Sequence, residues 1–189
     1  MTTQPSLRIS YIDTFTGKQL DPFNPRPDQV DARDIAAGLA SVTRFAGQLP
    51  YFYCVAEHSV LVARLATHGD LAQRGLFQTV RGWPVEEKER RLARFALTHD
   101  AEEAYLGDLI APVKHHPAFM AYRALARGLR NVVVDALNGA QPTAVEDAAI
   151  HAADQRAYAL ERDPAFHPVC ATWCDARIAW LDAWGALRD

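Results

Sequence analysis

Residues 92–100 read Leu-Ala-Arg-Phe-Ala-Leu-Thr-His-Asp, an apolar helical segment that ends on an adjacent histidine and aspartate. Leu92, Phe95, Ala96 and His99 recur at spacings of three and four, which predicts an amphipathic helix with the histidine on its buried face. A neighbouring imidazole and carboxylate can bind one divalent metal through nitrogen and oxygen. This stretch therefore favours a helical protein with a metal site at the end of one helix.

The chain on either side of this segment predicts an all-α domain with a small N-terminal β-hairpin. Alternating residues from 7 to 20 predict the hairpin, with Thr16-Gly17 as its turn, and the prolines of residues 21–27 predict a rigid extended link. Helical periodicity predicts further helices over about 55–67, 85–99, 118–137, 143–160 and 172–187, with a loop at 106–112. We expect one domain over residues 1–189, of which residues 1–27 form the hairpin and link.

Composition narrows the classes of partner. A net charge of −3 argues against a nucleic-acid polymer as the partner, whereas a small anionic substrate needs only a local positive site. No stretch approaches the ~20 apolar residues of a membrane span, so no membrane partner is expected. Cys54, Cys170 and Cys174 are too few for a disulfide framework, and a reducing cytoplasmic location is expected.

Polar residues interrupt the apolar face of three predicted helices. His58, His99 and Asp154 each fall where a charged group is costly, and Asp100 is adjacent to His99. A single histidine at such a position is usually a hydrogen-bonded core residue. Three such positions, together with Asp100, favour one divalent transition metal, and two nitrogens with two oxygens suit Co²⁺, Mn²⁺, Zn²⁺ or Fe²⁺.

These residues carry a resemblance to the HD-domain phosphohydrolases, whose ligand order of His, His-Asp and Asp reads here as His58, His99-Asp100 and Asp154. The matching words are Val-Ala-Glu-His-Ser at 55–59, His-Asp-Ala-Glu-Glu-Ala-Tyr-Leu-Gly-Asp at 99–108 and Pro-Val-Lys at 112–114. The chain is most similar to the branch that holds the bacterial 5′-deoxynucleotidases and the small phage dATP triphosphohydrolases. The resemblance implies an HD-domain helical bundle that binds one metal.

Two acidic residues are candidate catalytic groups. Glu103 follows His99 by four residues, so on a continuing helix it faces the same side and can take a proton from the attacking water. Its neighbour Glu102 is expected to face solvent. Asp108 follows a glycine and is either a turn residue or, as the resemblance implies, a group that contacts the water or the substrate 3′-hydroxyl.

The resemblance also implies a substrate site. At the positions of Arg44 and Lys114, the resembling proteins contact phosphate, which a guanidinium binds through paired hydrogen bonds. Pro112 lies at the same helix entrance as Lys114. Phe45 is expected either in the core or beside the base, and Gly47 leaves room there for a purine. Bacterial relatives carry tryptophan where this chain has Phe45, which makes the base preference open.

The favoured interpretation of the sequence is a dNTP triphosphohydrolase that acts on dATP, with Mg²⁺ as a further ion at the phosphates. The alternative is a 5′-deoxynucleotidase that cleaves a dNMP, and a third hypothesis is a non-catalytic nucleotide-binding HD protein. The resemblance implies a homo-oligomer, either a dimer or a hexamer. The tryptophans at 173, 180 and 184 fit a subunit interface and core packing equally well.

Overall fold

A computed structural model describes residues 11–68, 83 and 86–188. A two-stranded antiparallel hairpin precedes a set of packed helices. The strands are β1 (Ile12–Asp13) and β2 (Gln19–Leu20), and the helices are α1 (Ala32–Ser41), α2 (Val55–His68), α3 (Glu87–Leu97), α4 (Glu103–Leu106), α5 (Ala111–Lys114), α6 (Met120–Asn138), α7 (Ala144–Glu161) and α8 (Trp173–Arg188). The prediction of an all-α bundle with a small hairpin is confirmed.

The N-terminal region is shorter in regular structure than the sequence predicts. Ile12 pairs with Leu20 and Asp13 with Gln19, and the amide of Gly17 donates to the carbonyl of Thr14 to close the turn. Residues 7–10 of the predicted hairpin lie outside the described residues. The extended link ends one residue early, because Pro27 begins a 3-10 turn that runs to Gln29; its fixed φ suits the first position of a helical turn.

Helix α2 forms the centre of the bundle. Its residues from Val55 to Ala63 are all buried, and it packs against α1, α3, α7 and α8. A helix that is buried on every side is apolar on every side, apart from residues with a specific polar role. Glu57 and His58 are the charged or titratable side chains in that buried stretch, and both have acceptor or donor partners across the core. Within the described residues, none of the helices is long and apolar enough to span a bilayer.

The segment after His99 differs from the prediction. Helix α3 ends at Leu97, residues 98–102 form turns, and α4 begins at Glu103. His99 and Glu103 therefore do not share a continuous helix, because the amides of this segment bond to carbonyls three residues back. The predicted loop at 106–112 is also partly helical, since α5 begins at Ala111 with Pro112 in its first turn, where a missing N–H costs nothing.

Helix α8 covers the end of α3. Trp180 and Trp184 are buried, their rings stack with centroids 5.9 Å apart, and the indole nitrogen of Trp180 donates to the carbonyl of Leu97 at 3.3 Å. Trp173 instead donates to the hydroxyl of Ser41 at 2.7 Å. Core packing therefore accounts for Trp180 and Trp184, and the expected homo-oligomer stays a prediction.

Close packing of α1 on α4 supplies a first stability prediction. A Cβ at Gly38 would lie 2.5 Å from the carbonyl oxygen of Ala104, and that oxygen belongs to the backbone of the helix that begins with Glu103. We expect Gly38→Ala to reduce the free energy of unfolding by about 1–3 kcal/mol, because one backbone must move away from the other. Urea denaturation followed by circular dichroism measures the change.

Gly128 is the matched control for Gly38. It lies within α6, and a Cβ there would meet no atom within 4 Å. Gly128→Ala should raise the free energy of unfolding by about 0.5–1 kcal/mol, because alanine loses less backbone entropy in a helix. If Gly38→Ala and Gly128→Ala changed the free energy of unfolding equally, the contact between α1 and α4 would not restrict the size of the residue at position 38.

Candidate metal centre

His58 reaches the site from the middle of α2 with its ring orientation fixed. Its Nδ1 donates to Glu161 Oε1 at 2.5 Å, and both side chains are fully buried. A proton held at Nδ1 leaves the lone pair on Nε2, so the ring presents an acceptor nitrogen to the opposite side. That nitrogen lies 3.2 Å from Asp154 Oδ1 and 3.7 Å from Asp100 Oδ2.

His99 is oriented in the same way by the backbone of the helix that precedes it. Its Nδ1 donates to the carbonyl oxygen of Ala96 at 2.8 Å, which directs Nε2 toward His58. The two imidazole rings are 5.3 Å apart between centroids. His99 Nε2 lies 3.1 Å from Asp100 Oδ2 and 3.8 Å from Asp154 Oδ1. Four predicted ligands thus converge from α2, α7 and the turn after α3.

The geometry fits a single divalent metal. One ligand atom each from His58, His99 and Asp154 lies within 4.8 Å of the others. Two ligands bound at about 2.1 Å to one ion lie at most about 4.2 Å apart, and the four imidazole-to-carboxylate distances, from 3.1 to 3.8 Å, satisfy this limit. Both Nε2 atoms are buried and make no hydrogen bond to any described residue. Two buried acceptor nitrogens that face two carboxylates are matched by a cation.

Protonation behaviour shows how strongly these groups depend on a positive charge. Burial lowers the pKa of His99, but the Asp100 and Asp154 carboxylates outweigh burial and raise it to about 10. Burial would raise the pKa of Asp154, yet the adjacent imidazoles of His58 and His99 hold it well below its ordinary value. Without a metal, a proton on an imidazole takes the place of the cation.

Two of the four ligands, Asp100 and Asp154, line a cleft of about 850 Å³ that includes most of the predicted substrate residues. Its lining residues include Asp100, Asp154, Arg44, Phe45, Pro112 and Lys114. Gly47 is exposed and does not line this cleft. The cleft is within the size range of small-molecule sites in proteins.

Glu103 lines the cleft from the start of α4, although it is not on the helix of His99. It is 2% exposed, and its Oε1 accepts a hydrogen bond from Lys114 Nζ at 2.9 Å. Burial and the charge of Asp100 raise the pKa of Glu103 well above its ordinary value, against the effect of Lys114. A raised pKa makes Glu103 a stronger proton acceptor than an exposed glutamate. Contrary to expectation, Glu102 is also buried, at 6% exposed, but it does not line the cleft.

Asp108 lies in the same wall, in a segment fixed by α6. Tyr122 donates to the carbonyl of Gly107 at 3.2 Å, and Arg123 donates to the carbonyl of Lys114 at 2.7 Å. Burial raises the pKa of Asp108, while Arg44 lowers it. Gly107 precedes it with a φ of 78°, a left-handed conformation that glycine adopts without strain. Asp108 thus faces the cleft rather than serving only as a turn residue.

Arg44 is already engaged by a carboxylate. Its Nε and Nη2 donate to Glu161 Oε2 at 3.2 and 2.9 Å, so the paired donors expected to bind phosphate point to Glu161 instead. Among the described residues, no acceptor bonds to Arg44 Nη1, which leaves that nitrogen for a ligand. Arg44 lines the cleft and is 11% exposed at its side chain.

A strained turn follows Arg44. Phe45 and Ala46 have φ of 55° and 54°, which non-glycine residues rarely adopt, and Gly47 has a φ of 70°. This turn places the Phe45 ring on Tyr158, with centroids 5.9 Å apart and planes 27° apart. Tyr158 is 41% exposed and lines the cleft. The two rings form a flat aromatic wall, on which a base can stack.

Sequence reasoning missed two residues behind the ligands. Glu161 accepts hydrogen bonds from His58, from Arg44 and, at 2.7 Å, from the hydroxyl of Tyr53. Burial would raise the pKa of Glu161, but these positive groups and donors lower it to about 2. Its signal was its position seven residues after Asp154, since residues two helical turns apart share a face. Tyr53 lies outside any helix, and no spacing pointed to it.

Comparisons with known proteins agree with this geometry. The model of the family described as 5′-deoxynucleotidase YfbR-like matches residues 39–138. An uncharacterized protein of Rhodobacter capsulatus is 42% identical over 101 residues, which cover 52% of this chain and 44% of that protein. The uncharacterized protein YfdR of Escherichia coli is 36% identical over 106 residues, which cover 56% of this chain and 47% of YfdR.

The matched region has two consequences. The predicted resemblance to HD-domain phosphohydrolases is confirmed, with the likeness to the 5′-deoxynucleotidase branch the better supported part. The chain aligns with less than half the length of the curated relatives it matches. Asp154 and Glu161 lie beyond residue 138, so their place at the site follows from the fold of α7 and not from the family match.

Proposed function

Because the chain belongs to the YfbR-like family of 5′-deoxynucleotidases, we propose that it is a metal-dependent phosphohydrolase that cleaves 5′-deoxynucleoside monophosphates. The observation that carries this proposal is the convergence of His58, His99, Asp100 and Asp154 beside a cleft that the two aspartates and Glu103 line. The family match favours this monophosphate reaction over the dATP triphosphohydrolase expected from the sequence.

The proposed reaction replaces the bond between phosphorus and the 5′-oxygen with a bond from phosphorus to water oxygen. A divalent cation held by the four ligands would supply Lewis-acid activation of water and neutralise phosphate charge. Glu103 takes the proton that the attacking water releases, since it lines the cleft and its raised pKa makes it a stronger base than an ordinary carboxylate. The 5′-oxygen takes up a proton as it leaves, and the products are a deoxynucleoside and inorganic phosphate.

We expect the charged and the aromatic residues that line the cleft to bind different parts of the substrate. Arg44 Nη1 and Lys114 supply positive charge to the phosphate beside the ligands. Phe45 and Tyr158 offer a flat wall for the base, and Asp108 is placed to accept a hydrogen bond from a sugar hydroxyl. We propose a purine as the preferred base, because stacking on two rings strengthens with the size of the base.

A second candidate function is the dATP triphosphohydrolase, and one observation favours it. Along α7, Tyr158 lies four residues after Asp154, and His151 lies three residues before it. The lining of the cleft also includes Lys114 and Arg130, two cations in addition to Arg44. Arg130 pairs with Asp147 only weakly, at 3.4 Å and with Asp147 61% exposed at its side chain. These cations could neutralise β- and γ-phosphates.

An assay over a panel of nucleotides tests the proposal. Full-length protein is incubated with dAMP, dGMP, dCMP, dTMP, AMP and dATP in turn, each with Co²⁺, Mn²⁺, Zn²⁺ or Mg²⁺. We expect phosphate release from the purine deoxynucleoside monophosphates, with a kcat/KM at least about tenfold above that for dATP. Ion chromatography of the products distinguishes phosphate from triphosphate.

The outcomes separate the candidates. Triphosphate as the first product from dATP, with no phosphate from dAMP, would establish the second candidate in place of the first. Arg130→Gln then serves as the matched variant, since it should raise KM for dATP and leave the Kd for dAMP unchanged. Binding of nucleotide without release of any product would favour the non-catalytic HD protein and contradict both reactions.

The native metal, the assembly state and the compartment stay predictions. The ligand set suits Co²⁺, Mn²⁺, Zn²⁺ or Fe²⁺, with Mg²⁺ as a further ion at the phosphates in the triphosphate reaction. We propose a reducing cytoplasm as the compartment, since Cys54, Cys170 and Cys174 are all free thiols. The homo-oligomer is a separate proposal, which rests on the resemblance. Light scattering of the purified protein measures the oligomeric state.

A further inference from the structure

Glu161 joins two parts of the site that have separate tasks. Its Oε1 accepts from His58 Nδ1 at 2.5 Å and from the Tyr53 hydroxyl at 2.7 Å, whereas its Oε2 accepts both donors of Arg44. The carboxylate is fully buried at its side chain. Each oxygen therefore has its own partners, and solvent does not compete for either.

We propose that Glu161 is a positioning residue whose two oxygens orient two different groups, the metal ligand His58 through Oε1 and the phosphate-binding Arg44 through Oε2. The part that concerns Arg44 rests on the proposed function, and the part that concerns His58 does not. Neither role places Glu161 in contact with the substrate.

The first half of the proposal follows from the chemistry of imidazole. Only the tautomer with hydrogen on Nδ1 leaves Nε2 free for a metal, and a buried carboxylate at Nδ1 selects that tautomer and fixes the ring plane. His99 obtains the same tautomer from a neutral backbone carbonyl. His58 is thus the ligand whose ring is oriented by a side chain and not by the backbone.

The second half follows from the geometry of the guanidinium. Nε and Nη2 lie on the edge that bonds Glu161, so Nη1 is directed away from that carboxylate. Thr43 and Cys54 form a β-bridge beside Arg44, and the amide of Arg44 donates to the carbonyl of Tyr53 at 3.0 Å. The backbone and the guanidinium of Arg44 are therefore both fixed before a phosphate arrives, which reduces the entropy lost on binding.

Two substitutions at Glu161 distinguish its effect on His58 from its effect on Arg44. Glu161→Gln keeps the shape and one acceptor oxygen for His58 and Tyr53, but its amide NH₂ faces the donors of Arg44. Glu161→Ala removes both acceptors. We expect the Kd for Co²⁺ to change by less than about threefold in Glu161→Gln and to rise by about 10–100-fold in Glu161→Ala. The Kd for inorganic phosphate should rise at least about tenfold in both variants, because both lose the charged partner of Arg44.

The measurements need no turnover. Calorimetry with Co²⁺ alone and the visible absorption of bound Co²⁺ test the orientation of His58 by Glu161. Calorimetry with inorganic phosphate on Co²⁺-loaded protein tests the orientation of Arg44. If the wild-type protein hydrolyses no nucleotide, the proposed function fails while the metal readouts still test this inference. Where turnover is measured, Glu161→Gln should raise KM by more than it lowers kcat.

Glu57→Gln is the matched control. Glu57 is also a buried carboxylate of the core, one residue from His58, but its Oε1 accepts from the amides of Val169 and Cys170. This substitution should leave the affinities for Co²⁺ and for phosphate unchanged. Equal loss of both affinities in Glu161→Gln and Glu161→Ala, or no loss in either, would overturn the division of roles. If Glu161→Ala does not fold, Glu161→Gln alone decides, because an altered Co²⁺ spectrum in that variant contradicts the proposal.

Discussion

Replacing Glu103 with glutamine should lower kcat for deoxynucleotide hydrolysis by about 10²–10⁴-fold and leave the Kd for Co²⁺ within about threefold of the wild-type value. Glu103 faces the cleft but is not one of the clustered ligands. Glutamine preserves its volume and can still accept a hydrogen bond from Lys114, so the wall of the cleft should stay intact. What it loses is the ability to take a proton from water. Steady-state kinetics with dAMP and calorimetry with Co²⁺ measure the two quantities.

The neighbouring glutamate supplies a control for this substitution. Glu102 is also buried, and burial raises its pKa to about 7, but it does not line the cleft. Glu102→Gln should therefore change kcat by less than about threefold, a range typical of residues without a direct role in the reaction. A full loss of activity in Glu102→Gln, or full activity in Glu103→Gln, would contradict the assignment of Glu103 as the base.

The fold was predictable where single residues report on local structure. The spacing of Leu92, Phe95, Ala96 and His99 predicted a helix up to the histidine, and α3 ends at Leu97, two residues before it. Helical periodicity predicted α7 over about residues 143–160, and the capping box of Thr143 and Glu146 fixes its start. These signals are local, because a cap and a periodic apolar face depend on residues a few positions apart.

The metal ligands were predictable for a second reason. His58, His99 and Asp154 occupy positions where burial without a partner is costly, so their presence on apolar faces indicated a shared partner. The sequence does not give the distances between these side chains. Three buried polar residues on three predicted helices can share one partner only if the fold brings them together. The structure brings these residues within 4.8 Å of one another, as the prediction requires.

The path of the chain after His99 was not predictable from periodicity. Glu103 matches the spacing of a continuous helix, yet turns at residues 98–102 interrupt it. The close approach of Gly38 to Ala104 holds α4 against α1, and such tertiary contacts override local propensity. Tyr53 escaped detection because a buried hydrogen bond between distant residues leaves no periodic trace, whereas Glu161 had only its position seven residues after Asp154 as a signal.

Asp154→Asn should remove the metal and the activity together. Asp154 Oδ1 lies 3.2 and 3.8 Å from the two imidazole nitrogens, and asparagine keeps that oxygen but loses the charge that a divalent ion needs. We expect bound Co²⁺ to fall from about one ion per chain to less than about 0.1, and kcat to fall at least about 10³-fold. Elemental analysis after gel filtration and steady-state kinetics measure these changes.

Thermal unfolding gives a readout of Asp154 that does not depend on substrate. A ligand present at 100 times its Kd stabilises the folded state by about 2.7 kcal/mol, so Co²⁺ should raise the Tm of the wild-type protein and leave that of Asp154→Asn unchanged. Asp182→Asn, at an exposed position of α8, should respond to Co²⁺ as the wild type does. A Co²⁺-dependent rise of equal size in Asp154→Asn would mean that His58, His99 and Asp100 hold the ion without α7.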